Sequence, residues 1–225
     1  MAEPVQGAGG LVPMPKDYVN KAVEHVKNAG GLYLSDEVQT GFGRIGSHYW
    51  GFERLGTKPD IVTMAKQIAN GFPVSAVATT REIADNCMNG KTTFATYGGN
   101  PIGMAAGREV LKVIDDEDLV ANSHAMGELF FKNLRDIQTR VPTLGDVRGQ
   151  GLMIGLELVQ DKATKTPADM EYFNAVYEKT KDYGILLGKG GRHSNVIRLQ
   201  PPMCMNAQDV EFACDVLERS LKECM

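Results

Sequence analysis

The fold of this chain is decided by the stretch Leu32-Tyr33-Leu34-Ser35-Asp36-Glu37. A short apolar run that ends abruptly in polar residues is typical of a buried parallel strand, whose carboxyl end is the edge where α/β sheets bind ligands. A second unit of this kind follows, because Ile61-Val62-Thr63-Met64-Ala65 leads directly into Lys66. A helix is predicted before the first strand, over residues 15–29, since its apolar residues recur at helical spacing and Gly30-Gly31 follow. Together these elements predict an α/β fold.

The remainder of the chain predicts a second, smaller module. Residues 73–79 are expected to add a strand to the first module, and two long helices follow, the first from Pro101 and the second up to about Arg140. Beyond them we predict a turn entering a strand with alternating faces over 145–158, a helix over 169–183, short strands near 185–187 and 196–199, and a closing helix over 207–222. We therefore place a boundary near residue 140, with an α/β part over residues 1–140 and a small α+β domain over 141–225.

Composition and charge exclude several classes of function. The 225 residues carry a formal net charge of -4, with acidic and basic side chains spread through the chain, so no basic patch is present to bind nucleic acid or anionic lipid. No apolar run approaches the roughly 20 residues of a membrane-spanning helix. The four cysteines are Cys87, Cys204, Cys214 and Cys224. They form no Cys-x-x-Cys pair and have no histidine at metal-ligand spacing, so neither a metal site nor a disulfide framework is predicted.

Lys66 is an unusual residue for the end of an apolar strand. Burial of an ammonium group is costly, and a desolvated lysine is more readily the neutral amine that forms a Schiff base with an aldehyde. Asp36 ends the neighbouring strand, so a carboxylate and an amine are expected at the same edge of one sheet. Such a carboxylate is suited to pair with the ring nitrogen of pyridoxal phosphate (PLP). The alternatives are a lysine that only reaches water and an aspartate that caps a turn or makes a structural salt bridge.

A competing motif occurs at Gly41-Phe42-Gly43-Arg44-Ile45-Gly46, which matches the G-x-G-x-x-G dinucleotide fingerprint. The fingerprint should lie directly between a strand and a helix, but residues 36–40 intervene and residues 46–51 do not begin a convincing amphipathic helix. Nor does an acidic residue end the next strand, where Lys66 is found. Dinucleotide binding is therefore disfavoured.

Two further segments carry candidate binding groups. Arg198 lies within the predicted strand Val196-Ile197-Arg198-Leu199, where its guanidinium is either solvated or a bidentate clamp for a substrate carboxylate. Residues 96–101 form a turn by composition, and their backbone amides together with the hydroxyl of Thr96 are able to hold a phosphate. Neither segment is decisive by itself, because most such residues bind nothing.

Several ordered blocks of this sequence resemble the class III aminotransferase family. The longest is Ser35-Asp36-Glu37-Val38-Gln39-Thr40-Gly41-Phe42-Gly43-Arg44, followed by Ala65-Lys66 and Gly98-Gly99-Asn100-Pro101. Further blocks are Glu3-Pro4-Val5-Gln6-Gly7, Val147-Arg148-Gly149-Gln150-Gly151 and Arg198-Leu199-Gln200-Pro201-Pro202. Within the family, residues 60–66 and 151–155 most resemble the mitochondrial-type alanine–glyoxylate aminotransferases. The resemblance runs over essentially the whole chain.

The resemblance implies a fold-type I PLP enzyme and a role for each matching residue. Lys66 would form the internal aldimine and move the proton during catalysis, while Asp36 would pair with the pyridine nitrogen. Val38 would pack on the ring face, and Gln39 would hydrogen-bond near the ring hydroxyl. On this resemblance, all four residues bind the cofactor, and Lys66 and Asp36 are also catalytic.

The resemblance also implies a homodimer, because Thr96 would reach the cofactor phosphate of the neighbouring subunit. Arg198 would bind the α-carboxylate of the substrate. Some relatives carry a glutamate directly after the Gln-Gly of the first block, and it pairs with this arginine until substrate arrives, but Ala8 stands at that position here. The resemblance therefore leaves the gating of Arg198 open.

The family's amino-terminal half has no counterpart in this chain. The resemblance thus implies a partial large domain with a mainly parallel sheet, followed by a small carboxy-terminal domain. The expected activity is amino transfer between an alanine-like amino acid and a glyoxylate-like 2-oxo acid. Two alternatives stay open: a lyase of the same fold that eliminates phosphate from an amino-alcohol phosphate, and a truncated chain that does not catalyse. Relatives suggest a mitochondrial location, and no targeting segment is recognised in this chain.

Overall fold

A computed structural model describes residues 1–89 and 94–225 of the chain. The described residues form two compact units. The first unit consists of Met1–Pro4, Met14–Gly43 and His48–Val120, and the second unit consists of Val5–Pro13, Arg44–Ser47 and Ala121–Met225.

Strands and helices alternate in the first part of the chain, and runs of successive helices and successive strands follow. The strands are β1 (Val5–Gln6), β2 (Val12–Pro13), β3 (Leu34–Asp36), β4 (Ile61–Met64), β5 (Ala76–Thr79), β6 (Leu144–Gln150), β7 (Met153–Asp161), β8 (Thr166–Pro167), β9 (Gly188–Gly190) and β10 (Val196–Leu199). The helices are α1 (Lys16–Asn28), α2 (Gly51–Leu55), α3 (Arg81–Met88), α4 (Pro101–Asp116), α5 (Leu119–Arg140), α6 (Met170–Asp182) and α7 (Ala207–Glu223). A 3-10 turn, Lys66–Ala69, follows β4.

The sheet of the first unit has the order β3-β4-β5. Strands β3 and β4 are parallel, with Asp36 opposite Thr63, as the two apolar runs predict. Strand β5 is antiparallel to β4, so the three-stranded sheet is mixed. A parallel pair needs a crossover of about a dozen residues or more, usually with a helix. Residues 65–75 contain only the 3-10 turn, so the chain reverses direction instead.

Within the first unit, helix α1 contributes to a small apolar cluster. Val19, Tyr33 and Leu55 are its buried members. The helix ends where predicted, because Gly30 has a φ of 76° and takes the left-handed conformation that stops a helix. Asp60 then fixes the start of β4, since its carboxylate accepts a hydrogen bond of 2.7 Å from the amide of Tyr33.

The second unit is built on an antiparallel sheet with the order β6-β7-β10-β9, and β8 pairs with β7. The region predicted as a turn entering one strand is a full hairpin of β6 and β7. Gly149 permits this hairpin, because its φ is 131° and a Cβ there would lie 1.9 Å from the carbonyl oxygen of Met153. The alternation of faces expected for β7 is wrong, since residues 153–156 are all buried. These residues are enclosed on both faces of the sheet.

The predicted helices agree with the structure, but one strand is displaced. Residues 185–187 were expected to form a strand, whereas β9 begins at Gly188 and Leu186 is exposed. The compact units change between Val120 and Ala121, near the start of α5, whereas the boundary predicted near residue 140 lies at the end of that helix. The α/β fold class is confirmed, with a mixed sheet in the first unit and an antiparallel sheet in the second.

Within residues 1–89 and 94–225, no helix is long and apolar enough to cross a membrane. The same part of the chain contains no group of three or more side chains able to hold a metal ion. All four cysteines are free thiols. Burial raises the pKa of the Cys214 thiol to about 12.

Candidate active site

The carboxyl edge of β3 and β4 carries two of the residues singled out in the first unit, Asp36 and Lys66. Asp36 is the last residue of β3 and lies opposite Thr63 of β4. Lys66 follows the end of β4 and is the first residue of the 3-10 turn. Because the two strands are parallel, both residues lie at the same edge of the sheet. The structure thus places the carboxylate and the amine where the sequence argument expects them.

Lys66 has an uncommon backbone conformation. Its φ is 48°, in the left-handed region that costs a residue other than glycine roughly 1–2 kcal/mol. Strain of this kind is concentrated at functional sites, and an observed outlier supports a functional hypothesis. The side chain of Lys66 is exposed in this chain. The burial invoked for a neutral amine is therefore not provided by the described residues.

Asp36 is oriented by the chain that follows it. Its Oδ1 atom accepts a hydrogen bond of 3.0 Å from the backbone amide of Val38. This contact is the turn-capping role named above as an alternative, and it leaves Oδ2 available for a second partner. Asp36, Val38 and Gln39 are all half-buried. The segment is thus held in place while its side chains remain accessible to a ligand.

Gln67 connects the two segments of this site. Its Nε2 atom donates a hydrogen bond of 2.8 Å to the backbone carbonyl of Gln39. Its Oε1 atom is buried and has no hydrogen-bond partner among the residues that the structure describes. A buried acceptor without a partner is costly and is a recognised feature of ligand sites. Sequence reasoning did not identify Gln67.

Glu37 is the principal residue that sequence reasoning missed. It is fully buried, and its carboxylate accepts hydrogen bonds from the hydroxyls of Ser35 and Thr40. It also accepts hydrogen bonds from the backbone amides of Gly51, at 2.9 Å, and Phe52, at 2.8 Å. Glu37 therefore ties the segment after β3 to the start of α2. The hydroxyls on either side of it in the sequence were the available signal.

Thr96 lies in a turn on the surface of the first unit and is exposed. It lines a groove of about 420 Å³ together with Pro73, Val74, Ser75, Ala95, Tyr97, Gly98, Gly99, Asn100 and Met104. The turn leads into α4, where the side chain of Asn100 accepts a hydrogen bond of 2.7 Å from the amide of Gly103. Polar backbone at a helix start is suited to bind an anion. The structure shows the turn, whereas the phosphate contact stays a prediction.

Arg198 lies at the centre of the antiparallel sheet of the second unit. Strand β10 carries it between β7 and β9. It is half-buried, in contrast to the outward, solvated alternative, and its Nη2 atom donates a hydrogen bond of 2.6 Å to Oε1 of Gln200. Nearby, Arg44 donates from Nη1 to the carbonyl oxygen of Pro201, and burial lowers the pKa of Arg44 to about 10. The end of β10 is thus fixed by two guanidinium groups.

Solved structures share this fold over essentially the whole chain. An amine transaminase from an uncultivated Pseudomonas species, in the PLP-bound form, is 35% identical with a TM-score of 0.91, covering 100% of this chain and 52% of that chain. A phospholyase from Arthrobacter, in complex with phosphoethanolamine, is 36% identical with a TM-score of 0.92, covering 98% of this chain and 52% of that chain. The chain therefore has the fold of the fold-type I PLP enzymes.

The chain belongs to the class III aminotransferase family, because the family described as aminotransferase class-III matches residues 1–221. Human mitochondrial alanine–glyoxylate aminotransferase 2 is 45% identical over 224 residues, which are 100% of this chain and 44% of that protein. The Caenorhabditis elegans ethanolamine-phosphate phospho-lyase homolog 1 is 46% identical over 222 residues, which are 98% of this chain and 48% of that protein. The chain spans about half the length of the curated relatives it matches.

The predicted family and fold type are confirmed, and PLP is the cofactor of this family. Relatives named as aminotransferases and as phospho-lyases both match, so family membership alone does not fix the reaction. The names of the human and Arabidopsis thaliana relatives include the word mitochondrial. The residue assignments stay predictions.

Proposed function

We propose that the protein containing this chain is a PLP-dependent aminotransferase that moves an amino group between an alanine-like amino acid and a glyoxylate-like 2-oxo acid. The observation that carries the proposal is the placement of Asp36 and Lys66 at one edge of a parallel strand pair. This edge is where open α/β sheets bind ligands. The names of the alanine–glyoxylate aminotransferase relatives favour the substrates.

The residues present fit PLP by the chemistry of their side chains. When bound, PLP supplies an electron sink that stabilises negative charge at the carbon that loses a proton. Lys66 would hold the cofactor through its amine and would move a proton at its Nζ atom. Asp36, whose carboxylate is oriented by the amide of Val38, would pair with the ring nitrogen. Val38 would pack on the ring face, and Gln39 would donate or accept a hydrogen bond near the ring hydroxyl.

The remaining two residues bind anionic groups. Arg198 takes the carboxylate of the substrate, for which a guanidinium on a strand is a rigid bidentate donor. Thr96 would bind the cofactor phosphate of a second copy of the chain. This role requires a homodimer, and the exposure of Thr96 is consistent with a surface completed by a partner. A higher homo-oligomer built from such dimers fits equally.

The experiment uses the whole protein that contains this chain. PLP is added, the protein is reduced with borohydride, and the modified peptide is located by mass spectrometry. We expect PLP on Lys66 and amino transfer from alanine to glyoxylate that is lost in Lys66→Ala. Modification of another lysine, or unchanged transfer by Lys66→Ala, contradicts the assignment.

A phospho-lyase is the second candidate, because a C. elegans relative and an Arthrobacter structure carry that name. This reaction would use the same lysine to eliminate phosphate from an amino-alcohol phosphate. The two activities are separated by incubating the protein with ethanolamine phosphate in the absence of any 2-oxo acid. Release of inorganic phosphate under this condition supports the lyase and contradicts the aminotransferase.

A third candidate is a chain that keeps an association surface but does not hold PLP. Equilibrium dialysis of residues 1–225 against PLP tests it, since retention of stoichiometric cofactor contradicts it. The mitochondrial location suggested by the relatives is tested separately, by cell fractionation of the whole protein.

A further inference from the structure

Arg198 is surrounded by positions that lack side chains. It lies opposite Gly155 of β7 and opposite Gly188 of β9 in the antiparallel sheet. Residues directly opposite each other in such a sheet project to the same face, so both lateral neighbours of Arg198 on that face are glycines. A guanidinium among ordinary side chains would have its direction set by their packing. Here other contacts set it.

Gly190 supplies the first of these contacts. A Cβ atom at Gly190 would lie 2.5 Å from Cδ of Arg198 and 3.0 Å from the carbonyl oxygen of Ala8. The aliphatic part of Arg198 therefore lies directly over Gly190, closer than any side chain there permits. The carbonyl of Ala8 also accepts a hydrogen bond of 3.1 Å from the amide of Gly191. This contact fixes the loop before β2 beside the arginine.

Gln200 supplies the second contact. It follows Arg198 by two residues, so along an extended chain both side chains project to the same face. Its Oε1 atom accepts a hydrogen bond of 2.6 Å from Nη2 of Arg198. Pro201 and Pro202 then restrict the backbone, and Arg44 donates to the carbonyl oxygen of Pro201. An amide oxygen carries no net charge, so it orients the guanidinium without neutralising it.

We infer that Gln200 and Gly190 are positioning residues that fix the direction in which Arg198 presents its guanidinium to a carboxylate. Gly190 gives the side chain its path, and Gln200 holds the Nη2 atom. The inference rests on the proposed function, in which Arg198 binds the substrate carboxylate. It assigns the strength of carboxylate binding to two residues that touch neither substrate nor cofactor.

The test compares four variants of the whole, PLP-loaded protein with the unaltered protein. Gln200→Met keeps the length of the side chain without the acceptor, Gln200→Glu adds a competing carboxylate, and Gly190→Ala blocks the path of Arg198. Gln208→Glu is the matched control, because Gln208 is exposed at the start of α7. Two quantities are measured: the KM for L-alanine, and the Ki of propanoate against whichever amino donor is turned over. Propanoate carries the carboxylate of alanine without its amine.

We expect Gln200→Met and Gly190→Ala to raise both constants about tenfold, with kcat within about twofold, because a hydrogen bond to a charged group is lost or displaced. We expect a larger increase for Gln200→Glu, which occupies the guanidinium itself, and none for Gln208→Glu. The inference is overturned if the KM and the Ki of every variant equal those of the unaltered protein. A loss confined to kcat, or one that follows the melting temperature of each variant, also overturns it, because a structural defect has that signature.

Arg198→Ala separates this inference from the proposed function. If Arg198→Ala raises the Ki of propanoate while the Gln200 and Gly190 variants do not, the two residues are not positioning residues and Arg198 keeps its role. If Arg198→Ala leaves the Ki unchanged, the carboxylate role of Arg198 is wrong and the inference falls with it. If alanine is not turned over, but the Ki of propanoate rises in the Arg198, Gln200 and Gly190 variants as expected, only the proposed substrate is contradicted.

Discussion

The side-chain amide of Gln67 donates a hydrogen bond of 2.8 Å to the backbone carbonyl of Gln39. This contact joins the turn that begins at Lys66 to the segment that follows Asp36, and we propose that these two pieces of backbone bind the cofactor. Neither piece is a regular strand at this point, so the β3–β4 hydrogen bonds do not fix their separation. Gln67 therefore acts as the connection between them.

Gln67→Met is expected to weaken PLP binding by about tenfold, because the loss of this hydrogen bond frees the two segments to move apart. The measurement is the Kd of PLP by equilibrium dialysis of the whole protein. Gln138→Met is the matched control, since Gln138 also donates from Nε2 to a backbone carbonyl, that of Gly145, at 2.8 Å. A similar loss of affinity in both variants would show a general loss of stability instead.

The free energy of unfolding of Lys66→Gly is expected to exceed that of Lys66→Ala by up to about 1 kcal/mol. Urea unfolding measures this difference. The reason is the φ of 48° at this position, which glycine adopts without the strain that a Cβ brings. Both variants lack the amine, so the comparison is independent of the cofactor and is made on the PLP-free protein. Equal stability would indicate that the backbone relaxes once the lysine is removed.

The positions of Asp36 and Lys66 were predictable because each depends on local sequence. An apolar run that ends in a polar residue identifies a strand and its end, and parallel pairing then brings the two ends to one edge. Neither Gln67 nor Glu37 was predictable in this way. The partners of Glu37 at Gly51 and Phe52 are far along the chain, and the contact of Gln67 depends on the conformation of a turn.

The other differences between the predicted and the observed fold also arise from contacts between residues that are distant in the sequence. The run Ile185-Leu186-Leu187 has the composition of a strand, but the backbone that pairs with β10 begins at Gly188. Strand β5 has the expected composition, and its antiparallel direction was not predictable because direction is set by the connection and not by the strand. The exposure of Arg198 was predicted from the sequence around it, whereas its neighbours in the sheet are glycines on two other strands. Composition thus predicted the elements better than their pairing.

Glu37→Gln is expected to destabilise the protein by about 3 kcal/mol, because two backbone amides and two hydroxyls lose a charged acceptor inside the first unit. A glutamine also places an NH₂ group toward these donors. The measurement is urea unfolding with and without PLP. We expect weaker PLP binding as well, since Asp36 and Val38 adjoin Glu37 in the same segment.

Glu53→Gln is the control for this change. Glu53 is exposed, and its carboxylate accepts a hydrogen bond of 2.9 Å from the amide of Trp50 at the start of α2. Its loss should cost about 1 kcal/mol or less, as for other capping contacts in water. If Glu37→Gln costs no more than Glu53→Gln, the buried carboxylate does not organise the segment.

The ends of α6 and α7 are joined by Glu223, and this contact depends on pH. The hydroxyl of Tyr183 donates a hydrogen bond of 2.5 Å to the carboxylate, and the guanidinium of Arg219 donates a second of 2.7 Å. Together they lower the pKa of Glu223 to about 2. The folded state therefore favours the ionised carboxylate. Its contribution to stability is complete above the ordinary pKa of about 4.3 for glutamate and is lost as the pH falls toward 2.

Glu223→Gln should accordingly lower the midpoint of urea unfolding by a constant amount between about pH 7 and pH 5, and by progressively less below about pH 4. The difference between the two proteins shrinks at low pH because protonation removes the charge from the unaltered residue as well. Glu211→Gln, on an exposed position of the same helix, is the control and should show little difference at any pH. A difference for Glu223→Gln that stays constant down to about pH 3 would mean that packing of the side chain, and not its charge, joins α6 to α7.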